Sequence, residues 1–505
     1  MKLCNIMLLL LPLAVACQRV DVVHINNMSS EISLKKGDCL LLPIEDKAPE
    51  AVLTSGEETW SVRFSRDSTE YLLPFTAEED MVVRIDGLPF ESRFYRELKK
   101  GKASEAFVNR TPYIHFRPLY GWINDPNGMF YKNGEWHLFS QYNPFGAKWG
   151  NMSWGHAVSE DLVNWRHLET VLKPDSLGMI FSGSAVVDCD GTAGFGDDAV
   201  VAVYTSAGRH QQQSVAYSND DGRSFIKYGG NPVLGSSCPD FRDPKVIWHP
   251  ESNSWIMVVA AGNAMQFYRS DDLREWRFAS CFGENTGHHS GVWECPDIFP
   301  LPWKDGCKWV LLCSSNRSNI LGSATQYFIG DFDGYDFVPD DGEIRWMDYG
   351  MDHYAAVTFS NAPGGRRISM AWMNNWLYAD ALPLNGWRGM MTVPREHFLM
   401  EYAGRVVMAS LPVGEIMEKC QDRIHSFTLT GSQPEIEFRG VKFRLKDNVL
   451  EVERKSRVKF SDRFDVECVA ELDSDSEHEV LLLEDDYSIE CFIDSGAVAM
   501  SFQLY

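Results

Sequence analysis

The sequence predicts an all-β chain: a five-bladed β-propeller followed by a C-terminal β-sandwich, with a small N-terminal β domain ahead of both. Three observations predict it. Short apolar runs alternate with polar residues at the period of two that a half-buried strand requires. No apolar period of 3.6 continues long enough to suggest a helical core. An acidic turn followed by an aromatic residue recurs through the middle of the chain, at a spacing that leaves room for several strands per unit. The 505 residues suffice for two or three domains of about 100–200 residues each, and propellers exceed that range as single units.

In chain order, residues 1–17 read as an export signal. Lys2 supplies a positive start, Ile6 to Leu11 is apolar, and Leu13-Ala14-Val15-Ala16 leads into Cys17. The stretch is too short to span a bilayer and ends in small residues, as cleaved signals do. The pattern resembles a bacterial lipobox, in which Cys17 would be acylated and become the first residue. Ala14 stands where Leu is commoner. The expectation is an exported protein anchored in the bacterial cell envelope, touching membrane only through lipid on Cys17. Simple cleavage after Ala16 is the alternative.

Residues 18–105 carry clear alternation, in Trp60-Ser61-Val62-Arg63-Phe64 and Met81-Val82-Val83-Arg84-Ile85. They are expected to form the N-terminal β accessory domain. Residues 106–410 hold the repeat. Ser159-Glu160-Asp161-Leu162-Val163-Asn164-Trp165 is echoed by Ser270-Asp271-Asp272-Leu273-Arg274-Glu275-Trp276, with looser copies ending at Phe225 and Phe337. Strand-like runs such as Ala199 to Tyr204 and Trp255 to Ala260 precede some copies. Four visible copies and one divergent, ring-closing unit give five blades. Asp-rich turns are common in β proteins, but the shared Ser-x-Asp-Leu-x-x-Trp makes this pair better than chance. Residues 411–505 return to short strands, expected at Phe438 to Leu445, Val458 to Phe460, Ser488 to Ile493 and Val498 to Leu504, and read as a sandwich.

Composition narrows the partners. The formal net charge is -24, and an acidic surface repels phosphate backbones, so no nucleic-acid partner is expected. Aromatics make up 12%, including 16 Trp and 29 Phe, which suits either a large β core or rings stacked on sugars. The cysteines show no CxxC and no Cys/His pair at zinc-ligand spacing, and most read as small buried apolar residues. No metal and no cofactor is expected. His156, His288 and His289 read as structural or loop residues.

Three acidic motifs carry the chemistry. Trp122-Ile123-Asn124-Asp125-Pro126-Asn127-Gly128 reads as a tight turn, in which Asp125 on its own is equally a turn former. Phe241-Arg242-Asp243-Pro244 on its own is equally a structural Arg–Asp pair. Trp293-Glu294-Cys295-Pro296 on its own is equally a strand end with a lone Glu. Together they are more. The acids lie 118 (243 − 125) and 51 (294 − 243) residues apart, about two repeat units and then one. In a propeller, equivalent strand ends converge on one axial pocket. Carboxylates meeting there repel one another unless the chemistry needs them, and glycoside hydrolysis needs one ionised and one protonated.

These motifs resemble the signatures of glycoside hydrolase family 32, the invertase, inulinase and levanase family. The resemblance covers residues from about 112 to 505. It includes Ser140-Gln141-Tyr142-Asn143-Pro144, Trp149 to His156, Phe181-Ser182-Gly183, Trp372 to Trp376 and Trp387-Arg388-Gly389. It implies a five-bladed catalytic propeller followed by a sandwich, and a retaining hydrolase of β-fructofuranosyl linkages in levan, inulin or sucrose, most simply exo-acting. Asp125 matches the nucleophile, Glu294 the acid/base and Asp243 the transition-state stabiliser. Asn124, Gln141, Trp149, Phe181, Ser182, Arg242 and Trp387 match positions lining the fructosyl subsite. On this reading donors in a rigid turn keep the Asp125 pKa low, Arg242 holds Asp243 ionised, and burial raises Glu294. An endo-levanase, a fructosyltransferase, another five-bladed glycosidase and an inactive fructan-binding lipoprotein are the alternatives.

Overall fold

The computed structural model describes residues 20–107, 114–318, 321–383, 386–473 and 477–505. The export segment, with Cys17, lies outside the described residues. The chain divides into two compact units, residues 1–108 and 109–505.

In the first unit Val22–Asn26, Ser29–Leu34, Met81–Asp86, Ala51–Ser55 and Glu58–Val62 form, in that order, a five-stranded antiparallel sheet. Tyr71–Thr76, Cys39–Ile44 and Lys99–Lys100 form a second. The alternation read from the sequence holds. Trp60, Val62, Phe64, Val83 and Ile85 are buried, while Val82 and Arg84 face solvent.

In the second unit five antiparallel sheets follow one another along the chain. Their first strands are Gly121–Lys132, Met179–Asp188, Phe241–His249, Trp293–Trp303 and Tyr354–Thr358. Each packs on the next, and the fifth packs on the first, so the five form a closed ring. Second strands such as Ala199–Ala207 and Ser254–Ala261 are buried along nearly their whole length. That is why they read as unbroken apolar runs: both their faces are covered by neighbouring sheets. Val201, Val203 and Val215 of the second sheet meet Phe241, Met257 and Val259 of the third. Ile256, Val258 and Phe267 meet Trp293, Ile298 and Leu311 of the fourth. Each such side chain contributes about 1.5–3 kcal/mol on burial.

The acidic repeat is a physical object. In four sheets it forms the turn from third to fourth strand. Asp161 accepts backbone N–H bonds from Val163 (3.0 Å) and Asn164 (2.7 Å). Asp272 accepts them from Arg274 (3.0 Å) and Glu275 (2.8 Å). Asp333 does the same for Tyr335 and Asp336, and Asp220 for Ser224. A left-handed residue sits beside each, Leu162, Leu273, Gly334 and Asp221. In the fifth sheet Arg395–Tyr402 and Arg405–Pro412 are joined by the two residues Ala403-Gly404, both at positive φ. This short hairpin turn is why the fifth unit leaves no trace in the repeat. Trp387–Arg388 then closes the ring, pairing in parallel with Gly121 and Trp122 of the first strand.

Beyond Pro412 and the short helix Gly414–Lys419, two four-stranded sheets pack around Leu429, Phe443, Val452, Leu482, Ile489 and Phe502. Ser488–Ile493 and Val498–Gln503 stand where the sequence places strands. Two expectations fail. Phe438 to Leu445 is interrupted by Arg439-Gly440, both at positive φ, which makes a hairpin of Glu435–Phe438 and Val441–Lys446. Val458 to Phe460 lies in a connecting loop, with Val458 exposed; its apolar alternation is too short to specify a strand.

Candidate active site

The three acids stand near the beginnings of three inner strands, and one local device aims them inward. In every inner strand two residues oppose one on the second strand. Nearest the acids the unpaired residues are Asn124-Asp125, Phe181-Ser182, Asp243-Pro244, Cys295-Pro296 and Ala355-Ala356. These are β-bulges, which bend a strand and redirect its side chains. Asp243, Cys295 and Ala355 adopt positive φ (67°, 45° and 56°). Proline is tolerated after Asp243 and Cys295 because a bulged residue owes no ladder hydrogen bond. The expectation of a tight turn at Asp125 is thereby corrected. Trp122 to Gly128 is a bulged strand, and Pro126 pairs with Ser140 within it.

A cavity of about 360 Å³ opens over the bulges. Asp125, Asp243 and Glu294 line it together with Asn124, Gln141, Trp149, Phe181, Ser182 and Arg242. Gln211, Asp240 and Trp376 line it too and were not anticipated. Asp240 is adjacent to the Phe-Arg-Asp-Pro motif and Trp376 ends the Trp372 to Trp376 segment, so proximity in sequence was the available signal. Gln211 carried none. Trp387 stands apart, and its expected place in the subsite is corrected. It is buried in the ring-closing strand, its ring under the Arg117 guanidinium (4.7 Å) and edge-on to Tyr487 (6.1 Å).

Donors orient each acid. Asp125 Oδ2 accepts from Ser182 Oγ at 2.6 Å and Oδ1 from Asn124 Nδ2 at 3.0 Å. Asn124 is in turn fixed by Trp122 Nε1 (2.9 Å). Asp243 Oδ2 accepts the backbone N–H of Cys295 at 3.0 Å. The Cys295 thiol lies 3.6 Å from both Asp125 Oδ2 and Asp243 Oδ2. Glu294 Oε1 accepts from Arg242 Nε (3.1 Å) and Nη2 (2.9 Å), and Oε2 from the Tyr354 hydroxyl. Arg242 Nη1 donates to Asp240 Oδ1 (2.6 Å) and Gln211 Oε1 (3.0 Å).

Arg242 therefore clamps Glu294 rather than Asp243, from which it stands 4.0 Å away. This corrects the expectation that it holds Asp243 ionised. Burial pushes Asp243 up to about 7; Arg242 opposes this, while the charges of Glu294 and Asp125 add to it. Asp125 is also raised rather than low, because burial outweighs the bonds from Ser182, Asn124 and Cys295. Glu294 is raised by burial, as expected, against Arg242 and Tyr354. Burial works against the charge of Arg242, yet Glu294, Asp243 and Asp240 hold it firmly protonated. The site thus holds four carboxyl groups, Asp125, Asp240, Asp243 and Glu294, with one permanent cation among them, which favours retaining a proton.

Apart from Cys295, the remaining reactive side chains are placed elsewhere. Ten cysteines are free, with no disulfide among the described residues. Among the same residues no group of three or more His, Cys, Asp or Glu is placed to hold a metal ion. His156 bonds His137 (3.1 Å) inside the first sheet, and His289 stacks on Trp293.

The chain is similar to known proteins. Residues 115–410 match the family model described as the glycosyl hydrolases family 32 N-terminal domain. A levanase of Bacillus subtilis (strain 168) is 48% identical over 319 residues, covering 60% of this chain and 47% of the levanase. An extracellular exo-inulinase of Aspergillus awamori is 39% identical over 354 residues, covering 61% of this chain and 66% of that protein. The match thus spans about half to two thirds of these relatives. Among solved structures, a β-fructofuranosidase from Schwanniomyces occidentalis complexed with fructosyl-erythritol superposes with a TM-score of 0.70 at 33% identity, covering 78% of this chain and 91% of that one. The fold, a β-propeller with a β-sandwich, is common to them.

Proposed function

The chain belongs to glycosyl hydrolase family 32, and from that membership we propose that it is a retaining hydrolase of β-D-fructofuranosyl linkages, acting from the ends of fructans such as levan and inulin. The observation that carries the reading is the convergence of Asp125, Asp243 and Glu294, from three separate strands, on one cavity. Asp125 attacks the anomeric carbon of the terminal fructosyl unit while Glu294 gives its proton to the departing oxygen. A covalent fructosyl-enzyme results. Glu294 then takes a proton from water, which displaces Asp125 and releases fructose with retained configuration. Asp243 bonds the fructosyl hydroxyls, and Arg242 holds Glu294 in place. Trp149, Phe181 and Trp376 offer apolar faces to the sugar, and Asn124, Gln141 and Ser182 offer polar ones. Exo action is supported by the modest cavity and by relatives named as exo-inulinases. We read the five sheets as five blades and residues 18–105 as an accessory domain. We also read the protein as exported and anchored through lipid on Cys17, a reading that rests on the sequence pattern. Mass spectrometry should find the acyl mass on the N-terminal peptide and lose it in Cys17→Ala.

The test is product analysis on levan, inulin and sucrose, with the protein lacking residues 1–17. Fructose is expected alone from the first time points. Asp125→Ala and Glu294→Gln should each reduce the rate by roughly 10²–10⁴-fold or more while leaving the fold intact. A ladder of oligosaccharides would move the protein to the endo class. No product from any of the three would overturn the reading.

A further inference from the structure

A second cavity, of about 410 Å³, opens at the other ends of the same inner strands. Its volume lies within the about 300–1,000 Å³ usual for small-ligand sites. It is walled by aromatic rings. Trp248 and Trp255 meet edge to face at 5.2 Å, and Phe299 and Trp309 line the same space. Trp248 is 37% exposed, unusual for a ring of this size that a packed core could have covered. On the floor Lys245 is paired with Asp297 at 2.9 Å, which leaves no net charge there. Arg367 is different. Its Nε is buried without a hydrogen-bond partner, its Nη1 reaches only the Arg366 carbonyl at 3.4 Å, and no carboxylate within ion-pair distance of it is found among the described residues. Arg367 lines the cavity, so its guanidinium is placed to donate to a ligand acceptor there.

Aromatic faces beside an unused donor suit a ligand with apolar C–H faces and oxygen acceptors at its edge, the chemistry of a sugar ring. We propose that this cavity is a second carbohydrate site, which holds a neutral fructosyl segment of the substrate polymer against Trp248, with a hydroxyl oxygen accepting from the Arg367 guanidinium. The inference rests on the fructan-hydrolase reading above. Its consequence is retention of polymer at a place remote from bond cleavage.

Isothermal titration of the full chain carrying Glu294→Gln, with levan-type and inulin-type oligosaccharides, tests it. Two equivalents per chain are expected. Adding Trp248→Ala, or separately Arg367→Met, should weaken the second equivalent at least tenfold, and an oligogalacturonate should not compete for it. In the otherwise unaltered enzyme, Trp248→Ala should leave sucrose hydrolysis unchanged and slow the degradation of long polymer. A single equivalent, or a second one indifferent to both substitutions, overturns the proposal, as does preferential binding of the oligogalacturonate. If sucrose hydrolysis persists in those cases, this site alone is refuted. Absence of both hydrolysis and binding would remove the fructan reading with it.

Discussion

Asp125 and Glu294 face the same cavity under different constraints, and the difference governs how pH should act. Asp125 must be ionised to attack, so activity falls as pH drops through its pKa. Glu294 must be protonated to give its proton, so activity falls as pH rises through its pKa. Burial raises both, so both limbs should lie above the ordinary carboxylate range. Each limb has a separate handle. Ser182 Oγ donates to Asp125, a bond that favours the ionised form. Ser182→Ala should therefore move the acid limb of kcat/KM to higher pH. Tyr354 donates to Glu294, so Tyr354→Phe should move the alkaline limb upward and leave the acid limb in place. A loss of about tenfold in kcat at the optimum is expected for either, the cost of about one charge-assisted hydrogen bond. Profiles in which either variant moves the opposite limb would reverse the assignment of nucleophile and acid.

The strand ends show why the acids converge, and how much of that was legible beforehand. The Asp-rich turns were readable because a carboxylate capping two backbone N–H groups leaves a local signature, Ser-x-Asp-Leu at 159–162 and 270–273. The three acids were readable because a proline lies within or directly after each bulge, Pro126, Pro244 and Pro296. The bulges themselves were not, because a two-against-one register is a property of strand pairs. Trp122 to Gly128 looked like a turn for that reason. The exchange of Arg242 from Asp243 to Glu294 was equally hidden, since the choice depends on the neighbouring sheet, not on the adjacent residue. Trp387-Arg388-Gly389 was recognised as significant, but its weight is structural. Gly389 has φ 87°, and a Cβ there would lie 2.0 Å from the Ile123 carbonyl oxygen, one residue before the site. Gly389→Ala should therefore cost more than 3 kcal/mol, among the larger single-residue effects. It should lower Tm and impair catalysis together, because relief of the clash displaces the Asn124-Asp125 bulge. By contrast, Asp272→Ala at an outer turn should cost about 1–2 kcal/mol and leave kcat unchanged.

Across the whole second unit, the ring and the sandwich are joined by buried charge. Arg395 of the fifth sheet bonds Asp348 Oδ2 (2.9 Å) and, through Nε, Glu490 Oε2 of the sandwich (2.9 Å). His115, which precedes the first inner strand, is fully enclosed between Asp485 (2.9 Å) and Glu490 (2.7 Å). Burial disfavours its charge, but the two carboxylates prevail and push it up to about 9. Burial likewise works against the charge of Glu490, which Arg395 and His115 hold down at about 2. The signs then fix a window. A histidine whose folded pKa exceeds its ordinary 6.5 contributes fully below 6.5, and that contribution is lost as pH rises through 9. Glu490 contributes fully above its ordinary 4.5 and loses its contribution as pH falls toward 2. These are two views of one contact and are not added. Stability should therefore be greatest between about pH 4.5 and 6.5 and decline toward pH 9 by at most about 3 kcal/mol. His115→Gln removes the titrating partner and leaves Asp485 and Glu490 charged at every pH in that range. It should destabilise the fold by about 3–5 kcal/mol, the cost of a broken buried pair, at pH 6.5 and below; its Tm should no longer fall between pH 6.5 and 9, so that the deficit shrinks toward pH 9. The slopes carry the test, because the loss at any single pH would follow from poorer packing alone. If the variant and the parent decline in parallel over that interval, the alkaline loss belongs to other groups and His115 is buried without its proton.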